Sequence, residues 1–228
     1  MTQILRLLLA VLSLRKPPRI LVYAVRNKID RWLKTGNRRF EFERRYLEYQ
    51  DAWNYTSSPY EQQKYDRTLA SLVAGRDATS NILEVGCSIG VFTKMLASHF
   101  RAVTAIDVSK EAIRTAIDYA NTYSNVRFVT GDLRTLSLDE KYDAIICAEV
   151  LYYIAQSDAP LVCKKLDQNL APGGIILMVT LQNKPQQNFF YFDAWEEAFA
   201  PYFACVSKEI VQDDRRPYEI VIFARHLK

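Results

Sequence analysis

Histidine is nearly missing from the 228 residues: His99 and His226 stand far apart, and neither has other metal-type ligands beside it in the chain. A His-rich zinc or iron centre is therefore not expected, and no metal is predicted. Cysteine is sparse too. Cys87, Cys147, Cys163 and Cys205 form no C-x-x-C pair, and three of them lie in apolar stretches where cysteine behaves as a small hydrophobe, so all four are expected to be reduced and unligated. Long hydrophobic runs are lacking as well. The run from Ile4 to Leu14 is interrupted by Arg6 and has about half of the ~20 residues that a bilayer crossing takes. Arg15-Lys16-Pro17-Pro18 closes it where a secretory signal would have a small-residue cleavage site, so neither a span nor a leader is expected. Internal repeats and low-complexity tracts do not occur.

A basic body is also absent. The net charge of +4 divides unevenly: residues 1–45 hold twelve Lys or Arg against three Asp or Glu, and the remainder holds eighteen against twenty-three. Phosphate contact needs a basic face, so nucleic-acid binding by the body is not expected. With 49% hydrophobic and 25% charged residues, the chain has the composition of an ordinary globular protein with one main core.

What is present divides into an arm and a body. From Arg19 to Lys34, Ile20, Tyr23, Ala24, Ile29, Trp32 and Leu33 alternate with Arg26, Lys28, Arg31 and Lys34, a basic amphipathic helix pattern. It suits either a helix lying on an anionic membrane surface or an arm packing on the body or a partner chain. The expected organisation is an arm at 1–50 and one main domain at 51–228, in the cytoplasm, with peripheral membrane contact offered by residues 1–45. Residues 51–72 are rich in aromatics. Ser57-Ser58-Pro59, followed by Glu61, marks a helix start, and a helix from Tyr60 to Leu72 would set Tyr60 and Lys64 on one face. Such a helix can close over a ligand or simply cap a sheet.

The body is organised around Asn81–Gly90, NILEVGCSIG. Ile82, Leu83 and Val85 show no polar alternation, as in a central strand buried on both faces, and Gly86 and Gly90 allow positive φ before a helical pattern resumes at Val91. A dinucleotide fingerprint is not met, because position 88 is serine and no third glycine follows at the required spacing. Gly86-Cys87-Ser88-Ile89-Gly90 does fit the G-x-S-x-G nucleophile elbow, with Ser88 as nucleophile and His226 following in chain order. It also fits a nucleoside-binding turn in which an acid, Glu84, precedes the glycines.

Downstream the chain repeats strand, acid, helix. Ala102–Ile106 ends in Asp107, about 20 residues past Glu84, where a carboxylate can accept both hydroxyls of a ribose. Val126–Thr130 leads to Gly131-Asp132-Leu133, where Asp132 can bond an exocyclic amine of adenine and Leu133 can pack its ring. Tyr142–Ala148 is followed by Glu149-Val150-Leu151-Tyr152-Tyr153. Asp158–Leu170 is a helix stopped by Ala171-Pro172-Gly173-Gly174. Ile175–Leu181 is a fifth strand, Gln182–Phe192 a loop suited to a lid or substrate rim, Trp195–Phe199 a helix, and Phe203–Val211 with Tyr218–Ala224 a closing hairpin. The expected fold is α/β: a Rossmann-like, doubly wound, mostly parallel seven-stranded sheet with an antiparallel edge strand.

From Ile82 to Thr180 the stations ILEVGCSIG, AIDVS, VTGDL, YDAIICAEVLYY and PGG resemble, in order, those of class I S-adenosylmethionine-dependent methyltransferases. DAWNYTSSPYEQQKYDRTL, GCSIGVFTKML and AEVLYYI resemble NodS-type enzymes, which N-methylate an amino sugar of the nodulation factor. The resemblance implies that Glu84, Gly86, Cys87 and Gly90 hold the methionine end of S-adenosylmethionine, Asp107 and Val108 the ribose, and Asp132 and Leu133 the adenine. It places Glu149 near the transfer site and Tyr60 over the cofactor. Glu149, then Tyr152, is the candidate to take or direct the proton of an amine acceptor, against a reading of Glu149 as a strand-end carboxylate bonding local amides. An amino sugar or glycoside is the implied acceptor; a hydroxyl acceptor, a serine hydrolase using Ser88 and a non-enzymatic adaptor are the alternatives.

Overall fold

The computed structural model describes residues 38–182, 192–214 and 216–226. The apolar run Ile4–Leu14, the basic helix Arg19–Lys34 and nearly all of the loop after Gln182 lie outside the described residues. In chain order the elements are α1 (Arg39–Glu48), α2 (Pro59–Val73), β1 (Asn81–Val85), α3 (Val91–Ala97), β2 (Ala102–Asp107) and α4 (Lys110–Tyr119). They continue as β3 (Val126–Thr130), β4 (Tyr142–Ala148), α5 (Ala159–Asn169), β5 (Leu170–Leu181), α6 (Phe192–Phe199), β6 (Phe203–Val211) and β7 (Tyr218–Arg225). Two short 3-10 turns, Leu151–Tyr153 and Gln156–Asp158, connect β4 to α5.

The strands form one sheet in the order β3-β2-β1-β4-β5-β7-β6. β1, β2, β3, β4 and β5 pair in parallel, whereas β7 runs antiparallel to both β5 and β6, so the expected reversed strand lies one position in from the edge. Alternate residues of the apolar strands serve opposite faces. Leu83, Ile145, Ile176, Val221 and Phe223 pack under α5 and α6, whereas Ile82, Ala144, Ile146, Leu177 and Ile220 pack under α2 and α3. Trp195, Phe199, Phe203 and Phe223 close the first face, with the rings of Phe199 and Phe223 edge to face at 4.9 Å. Truncating a ring of that kind costs about 3–5 kcal/mol.

Two differences from the sequence reading bear on the packing. α5 ends at Asn169, and Leu170 already pairs with Tyr142, with a register shift before Ala144, so the Pro172-Gly173 stretch is an irregular opening of β5. Arg225 explains it: its guanidinium donates to Asp167 Oδ1 at 2.6 Å and to the carbonyls of Leu170 and Ala171 at 2.9 and 3.0 Å, satisfying acceptors that the helix end leaves open. The second difference is the rotation of α2. Its buried residues are Glu61, Lys64, Thr68, Leu69 and Leu72, so the inward face includes Lys64 but not Tyr60. Ser58 caps this helix, accepting from the Glu61 amide at 3.3 Å. Among the described residues no helix is long and apolar enough to cross a membrane.

Candidate functional site

The strand order reverses at β1, with β2 on one side and β4 on the other, so a crevice opens beyond their carboxyl ends. From Val85 the chain turns through Gly86–Gly90 into α3. Gly86 has φ +78°, and the Val150 side chain lies so close that a Cβ there would sit 2.7 Å from it. Only glycine fits. Gly90, at φ +82°, caps α3, and its Cβ would come within 2.9 Å of Ala116 on α4. Gly90 therefore serves the close approach of two helices and is not part of the cavity wall. Between them Ser88 takes φ 52°, a left-handed conformation that costs an L residue roughly 1–2 kcal/mol. Its amide donates to Asp107 Oδ2 at 3.0 Å, and its hydroxyl accepts from Tyr46 at 2.7 Å.

Those bonds remove the nucleophile-elbow reading. The His226 ring contacts the Ala200 carbonyl at 2.8 Å and His99 contacts Met95, both on the exposed surface, so Ser88 has no histidine to act as base.

Two cavities meet at the turn. The larger is walled by Asp107, Val108, Gly131, Asp132, Leu133, Val150 and Ile154, with Arg38, Phe42, Tyr46, Trp53 and Tyr55 across from them. The smaller is walled by Tyr55, Glu61, Lys64, Thr68, Glu84, Cys87, Phe92 and Glu149. Gly86, Ser88, Ala148, Tyr55 and Glu149 line both. Tyr60 lines neither: its hydroxyl donates to the Arg216 carbonyl at 2.7 Å and the Arg216 guanidinium sits 4.7 Å above its ring, tying α2 to the β6–β7 hairpin.

The three strand-end acids have different states. Glu84 is 5% exposed, beneath α3, and accepts from Thr93 Oγ1 at 2.5 Å; burial, partly opposed by that bond and aided by Asp107, pushes it up to about 7. Asp107 accepts the amides of Ser88 and Ser109, yet burial still pushes it up to about 6. Asp132 is half-buried; burial raises it, but the Arg134 guanidinium and amide outweigh this and hold it below the usual carboxylate range. Arg134 also reaches Asp158 at 2.5 Å, so Asp132 is fixed in direction where it lines the cavity. Cys87 is an inert wall: burial pushes its thiol well up.

Glu149 follows β4 with φ 55°, its amide donating to the Val179 carbonyl at 2.9 Å. Its carboxylate accepts from Tyr152 at 2.7 Å on one oxygen and from Lys64 at 3.5 Å on the other. Burial, then the neighbouring Glu149 charge, pushes Tyr152 far up, so near neutral pH the phenol is a donor that orients Glu149.

Sequence reasoning missed the cover. α1 falls inside the basic 1–50 segment, yet it docks on the body. The carboxylate of Glu43, 4% exposed, accepts from Ser109 Oγ at 2.6 Å and the Lys110 amide at 2.8 Å at the start of α4, where a negative charge is favoured. Phe42 and Tyr46, four residues apart, then share one helix face with the Trp53 and Tyr55 rings packed against it. That spacing, in a stretch crowded with aromatics, was the available signal. The lining suits a purine nucleoside in the larger cavity: apolar walls for a base, and the acceptors Asp107 for paired hydroxyls and Asp132 for an exocyclic amine.

A family model described as "Nodulation protein S (NodS)" matches residues 35–184. The chain belongs to the NodS family. Its NodS relatives include Nodulation protein S of Rhizobium tropici, 31% identical over 174 residues that cover 76% of this chain and 72% of that protein. Nodulation protein S of Bradyrhizobium diazoefficiens is 39% identical over 110 residues, 48% of this chain and 52% of that one, so the alignment spans about half of its length. Among solved structures, the N-methyltransferase NodS of Bradyrhizobium japonicum WM9, in complex with S-adenosyl-L-homocysteine, aligns with TM-score 0.73 at 23% identity, covering 83% of this chain and 99% of that one. The NodS match spans α1 through β5 and so holds the four site carboxylates Glu84, Asp107, Asp132 and Glu149, while β6 and β7 lie beyond it.

Proposed function

We infer that the chain, an S-adenosylmethionine-dependent methyltransferase, transfers a methyl group to a small-molecule amine of the amino-sugar or glycoside class. The observation that carries the acceptor reading is Glu149. It lines both cavities at their junction, its backbone is held in a left-handed conformation, and its carboxylate is fixed by Tyr152 and Lys64. Asp107 and Val108 are read as holding the ribose, Asp132 and Leu133 the adenine, and Glu84 with Gly86 and Cys87 the methionine end. Bound there, S-adenosylmethionine supplies a methyl group already activated on a sulfonium. The chain then has to align an acceptor, exclude water and take up a proton. Phe42, Tyr46, Trp53 and Tyr55 close the nucleoside cavity from the solvent side. An amine must present a free lone pair, and the Glu149 carboxylate at the junction is read as receiving its proton, a contribution of about 10²–10⁴-fold.

The test uses purified protein, isotope-labelled methyl donor and mass spectrometry, with amino sugars, their N-acetylated forms and plain hydroxylated glycosides as acceptors. Label is expected on the free amines and not on the N-acetylated or hydroxyl-only compounds; label on oxygen would refute the amine reading. Glu149→Gln is expected to lower turnover by about 10²–10⁴-fold and to change the pH–rate profile while donor binding stays within a few-fold. A variant with unchanged turnover and profile would remove Glu149 from the reaction.

A further inference from the structure

Glu61 and Lys64, three residues apart, share the inward face of α2, where they are 2% and 3% exposed beside Leu69 and Leu72. Apolar residues would fill that face at less cost, because a buried ion pair is desolvated and adds little stability. The two belong to a longer row of charges. Arg216, half-exposed before β7, lies 3.4 Å from Glu61 Oε1, Glu61 Oε2 lies 2.8 Å from Lys64 Nζ, and Nζ lies 3.5 Å from Glu149 Oε1. The row alternates in sign from the protein surface to the junction of the two cavities. The Tyr60 ring lies against both of its cations, 5.1 Å from Lys64 Nζ and 4.7 Å from the Arg216 guanidinium. Other titratable groups around Glu149 do not balance its charge. Tyr55, Tyr60, Tyr152 and Tyr153 are phenols that burial pushes up, and Glu84 and Asp107 are carboxyls across the two cavities. Arg38 and Arg39 act instead on the Tyr153 ring and on Asp132. Among the described residues Lys64 is the cation paired with Glu149.

We propose that Lys64 is a positioning residue for the transfer step: shared between Glu61 and Glu149, its ammonium keeps the Glu149 carboxylate charged and held at the junction, where the acceptor's proton must go. The assignment rests on the reading of Glu149 as proton acceptor and adds what fixes its charge, a row of ion pairs reaching back to a hairpin outside the NodS match. Glu61 competes for the same ammonium from the shorter distance and so limits how much of that charge Glu149 receives. Lys64 and Glu61 therefore act on Glu149 in opposite directions.

The test is an NMR titration of protein isotope-labelled at the glutamate carboxyl carbons, the Glu149 signal being identified by its loss in Glu149→Gln. Lys64→Met is expected to move the Glu149 midpoint up by about one pH unit or more, the scale of an opposite charge removed from within about 4–6 Å. Glu61→Gln is expected to move it down, because a competing carboxylate is gone and the ammonium is left to Glu149. A residue that only held α2 in place would shift both variants the same way or neither. With S-adenosylmethionine and glucosamine, Lys64→Met should lower kcat about tenfold or more on the acid limb and regain the wild-type rate as pH rises, with S-adenosylhomocysteine affinity within a few-fold. The titration needs no acceptor, so it decides even where glucosamine is a poor one. Should Lys64→Met fail to fold, Glu61→Gln carries the test alone, since it keeps the ammonium; a midpoint that stays or rises there overturns the assignment. An unmoved midpoint in Lys64→Met, or a kcat loss equal at every pH, also overturns it while leaving Glu149 as proton acceptor. If Glu149→Gln itself turns over like the wild type, the proton-acceptor reading falls and this assignment with it.

Discussion

Replacing Glu84 by Gln removes a buried charge and keeps its shape, including an acceptor for the Thr93 hydroxyl. In the folded chain burial lifts this carboxyl from its ordinary 4.5 to about 7. Between those two values the unfolded chain has released the proton and the folded chain still holds it. The unfolded state then binds fewer protons, so stability falls as pH rises from about 4.5 to about 7 and stays low above. Each pH unit of separation is worth about 1.4 kcal/mol, which sets the ceiling of the penalty at ~3 kcal/mol. Gln carries no such penalty. Thermal unfolding without ligand, followed from pH 5 to 8.5, should show the wild type losing stability over that window and Glu84→Gln losing less. At pH 8 the variant should melt several degrees higher, at about 2–4 °C per kcal/mol for a chain of this size. The opposite is expected for function: the carboxylate read as meeting the ammonium at the methionine end of the donor is gone, so S-adenosylhomocysteine should bind the more stable protein less tightly. A variant no more stable than wild type at pH 8 would refute the argument that Glu84 is a charge held against its own desolvation for the sake of a ligand.

Other expectations concern the same crevice. Wild-type affinity for S-adenosylhomocysteine should weaken from pH 8 to pH 6, because Glu84, at about 7 in the free protein, must be ionised to meet an ammonium; a flat calorimetric profile would count against that. Asp107→Asn should weaken S-adenosylhomocysteine and 5′-methylthioadenosine alike, by about tenfold or more, since both carry the ribose; selective loss of one would contradict the ribose assignment. Gly90→Ala should cost about 2 kcal/mol or more in urea unfolding, from the left-handed φ and the 2.9 Å approach to Ala116, with nucleoside affinity of the folded protein retained.

The sheet and its acids were legible in the chain because their signals are local. An apolar run without alternation, ended by an acid and a turn residue, marks a buried parallel strand whose carboxyl end faces a crevice. Glu84, Asp107 and Asp132 each sit at such an end, so their meeting follows from strand order. The helices were less legible. Periodicity gives a helix but leaves the inward face to its packing partners, and on α2 a shift of one residue put Glu61 in place of Tyr60 beside the expected Lys64. Gly90 looked like its neighbour Gly86, and only the approach of α4 separated a cavity residue from a packing residue. The basic charge of the first 45 residues concealed that α1 belongs to the site. What binds Glu43 and Tyr46 is Ser109, Lys110 and Ser88, 42 to 67 residues further on. Contacts that distant leave no mark on local sequence; they exist only once the sheet has set the start of α4 beside the glycine turn.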